Sequence, residues 1–226
     1  MNVHTGEVTE IQLDSGGNLV AWISCPPQAI PAPGQYVTTV GGDSVLPASL
    51  FSGKRSDNGF QAAPPVPSNW TPGTEVQLRG PLGKGFQIPA QAQRLAFAAM
   101  DRTSARLLPL AHQALQDERS VALFTDAQLP SIPLALEVHP LSALPEFISW
   151  ADFLAVDLPV QALPRLRETF GLSPEGYLPC MGQALVLAPM PCGTLADCGV
   201  CALKVRGTWK LACKEGPVFK LNDLEW

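Results

Sequence analysis

Arg94-Leu95-Ala96-Phe97-Ala98-Ala99-Met100-Asp101-Arg102-Thr103-Ser104-Ala105 divides the chain. After Arg94, Leu95–Ala99 is an apolar run of strand length. Ser104–Asp117 then reads as a helix, and Ser120-Val121-Ala122-Leu123-Phe124 as a second apolar strand. Strand, helix and strand at this spacing are the grammar of a parallel sheet. Leu134–His139 and Phe153–Val156 are further strand candidates, and Leu163–Phe170 is a helix closed by Gly171, a usual C-cap. Tyr177–Pro191 reads as a connection to a cysteine-bearing tail, and no internal repeat is present.

Upstream the period is different. Glu7–Leu13 and Asn18–Ile23 alternate polar and apolar residues around the turn signal Asp14-Ser15-Gly16-Gly17, which predicts a hairpin. Pro31-Ala32-Pro33-Gly34 breaks the chain before the β-branched run Gln35–Val40. Ser52–Thr71, rich in Gly, Pro, Ser and Asn, is expected to hold a loop or a poorly paired edge strand. Glu75–Gly80 resumes as a strand, so residues 1–90 read as a small antiparallel β-barrel. The expected organisation is thus β-barrel plus α/β, with boundaries at 1–91, 92–186 and 187–226.

A length of 226 residues with 46% apolar composition suffices to build real cores. A net charge of −5 offers no basic face to nucleic acid, and no lysine–arginine run suggests an anionic membrane surface. No window approaches eighteen uninterrupted apolar residues, and the first seven residues lack the layout of a signal peptide. The expectation is a cytoplasmic protein with neither nucleic acid nor membrane as partner. No Ser/His/Asp triad, paired carboxylates or nucleophile elbow is found, so no catalytic residue is assigned.

Four of the six cysteines lie beyond residue 190, as Cys192-x5-Cys198-x2-Cys201-x11-Cys213. In a reducing compartment such clustering points to metal rather than to bridges. Four thiolates are what an iron–sulfur cluster requires, and the plant-type [2Fe–2S] spacing C-x4-C-x2-C plus a distant fourth cysteine differs by one residue in the first gap. The small residues Gly193, Ala196, Gly199 and Ala202 let the backbone wrap closely and aim N–H groups at sulfur. Leu203–Ala212 reads as a hairpin turning at Arg206-Gly207, which would return Cys213 beside Cys201. A structural zinc site, disulfides and unrelated buried thiols are the competing readings; zinc would normally use two short C-x2–4-C pairs, and only Cys198/Cys201 form one. Cys25 and Cys180 read as small core residues. Trp209, four residues before Cys213, is a candidate shield for a cluster.

Met190-Pro191-Cys192-Gly193, Cys198-Gly199-Val200-Cys201 and Ala212-Cys213-Lys214-Glu215-Gly216-Pro217-Val218-Phe219 resemble the cluster-binding segment of the electron-transfer subunit of the two-protein (class 1B) dihydroorotate dehydrogenase, within the ferredoxin-reductase-like flavoproteins. Pro33-Gly34-Gln35-Tyr36-Val37 and Gly80-Pro81-Leu82-Gly83-Lys84-Gly85-Phe86 are similar to the flavin barrel of the same family. The resemblance implies a flavin-type barrel, a nucleotide-type α/β domain, and a [2Fe–2S] cluster on Cys192, Cys198, Cys201 and Cys213. It further implies single-electron exchange with a catalytic flavoprotein subunit in pyrimidine biosynthesis. By motif correspondence Pro47, Ala48, Ser49, Gly83 and Gly85 would line an FAD.

The chain departs from the family at both nucleotide sites. Leu46-Pro47-Ala48-Ser49 stands where the family has Arg-Pro-x-Ser, and leucine neutralises no phosphate. Gly59-Phe60-Gln61-Ala62-Ala63-Pro64-Pro65 replaces a Gly-x-Gly-Thr turn, and its prolines remove backbone donors. Ala98–Ala105 lacks the glycines that would admit a pyrophosphate, and Asp101 would repel one. FAD is therefore left open and NAD(P) is not expected. Thr103 or Ser104 is expected to cap the following helix rather than bind an anion. The alternatives are a non-catalytic assembly module with both nucleotide sites lost, and a zinc-stabilised interaction protein.

Overall fold

Asp14 closes the first hairpin. Its carboxylate accepts from the N–H groups of Gly16 (2.9 Å) and Asn18 (2.8 Å), and Gly17 takes the left-handed conformation (φ 76°) that the turn needs. The flanking strands are β1 (Val3–Leu13) and β2 (Leu19–Ser24), followed by β3 (Tyr36–Gly41), β4 (Ala48–Ser56), β5 (Gly59–Ala62) and β6 (Glu75–Leu82). They close into an antiparallel barrel in the order β1-β2-β5-β4-β3-β6. The computed structural model describes residues 2–41, 47–129, 135–173 and 175–226. Val8, Ile23, Val37, Leu50, Phe60, Trp70, Val76 and Leu78 fill the barrel interior. Along β6, Val76, Leu78 and Gly80 are buried, which turns Arg79 to the outer surface.

The second unit is a six-stranded sheet of β7 (Arg94–Ala99), β8 (Ser120–Thr125), β9 (Glu137–His139), β10 (Phe153–Pro159), β11 (Met181–Leu187) and, from the tail, β14 (Val218–Lys220). Its order is β14-β11-β10-β7-β8-β9; all pairs are parallel except β11/β14. Helix α1 (Leu108–Gln116) covers one face through Leu110, Ala111 and Ala114 against Leu95, Phe97 and Leu123. Between β11 and β14 the chain forms the cysteine loop and a hairpin of β12 (Ala202–Val205) and β13 (Thr208–Leu211). On the other face one continuous core joins Tyr36, Phe51 and Ala63 of the barrel region to the sheet residues Ala98 and Val156 and to Cys201, Leu203 and Cys213. Among the described residues no helix is long and apolar enough to cross a membrane.

The barrel, the parallel sheet and the tail hairpin agree with the sequence reading, and four details do not. Ser52–Thr71 contains well-paired strand: β4 runs to Ser56 and β5 spans Gly59–Ala62, because closure of the barrel gives both edges partners. Tyr177–Pro191 is not merely a connection, since it contains β11, with Ala184–Val186 fully buried. The first helix begins at Leu108 rather than Ser104, with Pro109 in its first turn. Leu163–Phe170 is a 3-10 turn (Val160–Arg165) leading into four α-helical residues, because Pro164 has no N–H to give a longer helix. Gly171 (φ 64°) still closes it. Leu46 and Leu134 lie outside the described residues.

Candidate metal centre

The tail hairpin sets the site. Ala202 pairs with Leu211, so the residues just outside the ladder meet, and the Ala212 N–H donates to the Cys201 carbonyl (3.0 Å). Cys213 follows in a one-turn helix, Ala212–Glu215, and its thiol neighbours that of Cys201. Both residues are buried. The loop before the hairpin supplies the other two. Gly193 (φ 50°) and Thr194 (φ 70°) are consecutive left-handed residues, and the backbone curls so that the Cys192 thiol donates to the Ala196 carbonyl (3.3 Å) with the N–H groups of Thr194, Ala196 and Cys198 nearby. Successive N–H groups curled in this way form a concavity for anions. The Cys198 thiol also neighbours that of Cys192.

The four thiols thus form two pairs, Cys192/Cys198 and Cys201/Cys213, with Cys192 within electrostatic range of Cys213. Among the described residues no three ligating side chains converge on one point. Two pairs suit a binuclear centre, in which each iron takes two cysteines. Burial pushes the Cys213 thiol up to about 12, helped by its bond to Cys201 and by the neighbouring sulfur charges. Burial also opposes ionisation of Cys192, but the Cys198 thiol and the N–H donors outweigh it and lower its pKa. Cys25 is buried in the barrel core, Cys180 is half-buried against the sheet core, and burial raises both thiols to about 11, so neither joins the site. Trp209 is 68% exposed, with Lys204 Nζ 5.9 Å from its ring centre.

The barrel backs the site directly. The Tyr36 hydroxyl donates to the Cys213 carbonyl (2.8 Å), and Arg79 reaches Thr194 across from β6. Sequence reasoning missed Arg79, an isolated arginine in a strand with no motif around it. The flavin-type positions are adjacent to the cysteines and half-buried. Pro47 lies against Gly193, and Ser49 and Ala48 pair with Thr38 and Thr39 in the barrel wall. A Cβ at Gly83 would stand 2.6 Å from Pro217 Cδ, and one at Gly85 would stand 2.7 Å from the Pro33 carbonyl. The Lys84 N–H donates to the Gly216 carbonyl (2.6 Å), which seals the tail onto this loop. A cleft of about 880 Å³ lies elsewhere, between Lys54, Arg55 and α1.

The nucleotide-type crevice, at the carboxyl ends of the parallel strands, is also filled. Arg106, 1% exposed, pairs through Nε with Asp157 (2.9 Å) and through Nη2 with Asp101 (2.5 Å), and donates to the Pro64 carbonyl. Asp157 is fully buried, and burial pushes its carboxyl up to about 6 against the pull of Arg106. Thr103 and Ser104 do not cap the helix. The Thr103 hydroxyl oxygen accepts locally from the Ala105 N–H (3.1 Å), because the Arg106 network holds this stretch out of the helix.

Comparison with known proteins places these features. Residues 188–225 match the family model described as the iron–sulfur cluster binding domain of dihydroorotate dehydrogenase B. The NADH-dependent reduced ferredoxin–NADP oxidoreductase studied for flavin-based electron bifurcation is similar in structure (TM-score 0.76, 16% identity), over 98% of this chain and 90% of that one. The ferredoxin reductase of carbazole 1,9a-dioxygenase gives 0.57 at 15% identity, over 77% and 65%. The flavohem-like FAD/NAD-binding domain of a Vibrio cholerae nitric oxide dioxygenase gives 0.52 at 14%, over 82% and 99%. No curated protein sequence matches the chain. At these identities the structural likeness shows the fold, a ferredoxin-reductase-like barrel and α/β pair.

Proposed function

We propose that this chain is an electron-transfer subunit. Cys192, Cys198, Cys201 and Cys213 would hold a [2Fe–2S] cluster, Cys192/Cys198 on one iron and Cys201/Cys213 on the other, that relays single electrons to or from a partner flavoprotein resembling the dihydroorotate dehydrogenase catalytic subunit. The observation that carries the reading is the hairpin register that brings Cys213 beside Cys201, within a segment, residues 188–225, that matches the iron–sulfur family model. When bound, the cluster supplies a reversible one-electron couple. The chain's own residues do the rest. The hairpin fixes Cys201 and Cys213 and keeps water from them, and the Cys192 loop offers N–H donors that stabilise negative charge on sulfur. Cys198 is exposed, so one side of the site is open to a partner. Thiol ligands of this kind suit a reducing compartment, and we place the protein in the cytoplasm.

We further propose that neither FAD nor NAD(P) binds here. The Arg106 network in the crevice and the absence of glycine-rich phosphate loops favour this form, in which the barrel and sheet serve as a mount for the cluster. Both points are tested on one anaerobically purified sample by measuring iron, acid-labile sulfide, zinc and flavin. Two irons and two sulfides per chain without flavin are expected, and NADH should leave the cluster oxidised while dithionite reduces it. Zinc without sulfide would sink the cluster assignment, and stoichiometric flavin would sink the nucleotide-free form.

A further inference from the structure

Arg79 sits on the outer face of β6, yet the cysteine loop covers it. Its Nε donates to Thr38 Oγ1 (3.2 Å) and its Nη2 to Thr194 Oγ1 (2.9 Å), while Nη1 is shut off from solvent with no hydrogen-bond partner. Among the described residues no carboxylate pairs with it. A shielded guanidinium with an idle N–H and no counter-ion is costly unless an anion completes its surroundings. What surrounds it here is the thiol site. Nη2 lies 3.3 Å from where a Gly193 Cβ would stand, next to Cys192. The Tyr36 hydroxyl lies within electrostatic range of Arg79 and of Cys213, Cys201 and Cys192 alike.

We propose that Arg79 is a positioning residue that tunes the cluster, holding the Cys192 loop in shape and raising the cluster's affinity for an electron. This rests on the cluster reading above. Thr194 is a β-branched residue at φ 70°, a conformation such residues resist, and the bond from Arg79 holds it there with its N–H toward Cys192 sulfur. The second effect is electrostatic. Reduction adds one negative charge to an already anionic centre, and a fixed, part-buried cation near it favours the reduced form.

The test compares reconstituted wild type with Arg79→Lys, Arg79→Met and Arg79→Gln by redox titration followed by electron paramagnetic resonance, with iron and sulfide measured on each. Removing the charge in Arg79→Met should weaken electron affinity by about tenfold, a midpoint about 59 mV more negative for a one-electron couple. Arg79→Lys, which keeps the charge, should stay near wild type. Arg79→Gln can still donate to Thr194 and should shift as Met does, so it carries the test if Met does not fold. Unchanged potentials in the Met or Gln variant, or equal shifts in Lys and Gln, would overturn the proposal. Wild-type protein lacking iron and sulfide would overturn the cluster reading itself, before any potential is measured.

Discussion

Cys201 and Cys213 sit in an apolar core that disfavours their charged forms, and the hairpin nonetheless brings their thiols together. Replacing either with serine keeps the volume but removes a soft ligand, so iron and sulfide content should fall below half of wild type while the apo-fold persists. Colorimetric iron and sulfide assays with far-UV circular dichroism check this. Cys25→Ala, outside the site, should leave iron content unchanged. Asp157 gives a prediction with a definite sign. Its carboxyl is raised from the ordinary 3.8 to about 6, so the folded chain holds that proton more tightly than the unfolded chain. Through this group, stability rises as pH falls from about 6 to about 4, and the gain is absent above that window. Urea unfolding at pH 4.5 and pH 7 should show wild type gaining on Asp157→Asn upon acidification. The reverse order would mean that the pair with Arg106 dominates burial.

At the scale of elements, glycines in the same backbone region carry different burdens. Gly207, at the hairpin turn (φ 74°), has no atom within 4 Å of a Cβ, so Gly207→Ala costs only the left-handed strain, about 1–2 kcal/mol. Gly83 (φ 73°) faces Pro217 and Gly216 at under 3 Å. Gly83→Ala adds overpacking to the same strain and should cost upwards of about 2 kcal/mol. Denaturant unfolding of both variants ranks them. The tail hairpin was legible because alternating apolar residues flank an Arg-Gly turn, and its register settles locally. Strand β5 was not, since Gly59 and the following prolines read as loop, and only pairing on both sides makes Gly59–Ala62 a strand. Strand β11 was missed because Gly182 and Gln183 interrupt its apolar residues ahead of the buried run.

For the molecule as a whole, the tail is no appendage. Its last strand joins the α/β sheet, Cys201 and Cys213 enter the shared core, and its Gly216-Pro217 turn closes the barrel loop. Arg106 ties the sheet to the barrel side at Pro64. Arg106→Ala leaves Asp157 buried without its partner and should cost about 3–5 kcal/mol, whereas Arg106→Met with Asp157→Leu should recover most of the loss. A thermal unfolding cycle on the four proteins measures the coupling. The sequence by itself determined the barrel-then-sheet order, the four cysteines and the loss of the glycine-rich phosphate loops, because hydrophobic period, ligand spacing and missing glycines are local properties. Only the tertiary structure decided which thiols pair, that Arg106 occupies the crevice and that Arg79 backs Cys192. Those depend on strands distant in sequence meeting across a common core, where burial, not spacing, selects each partner.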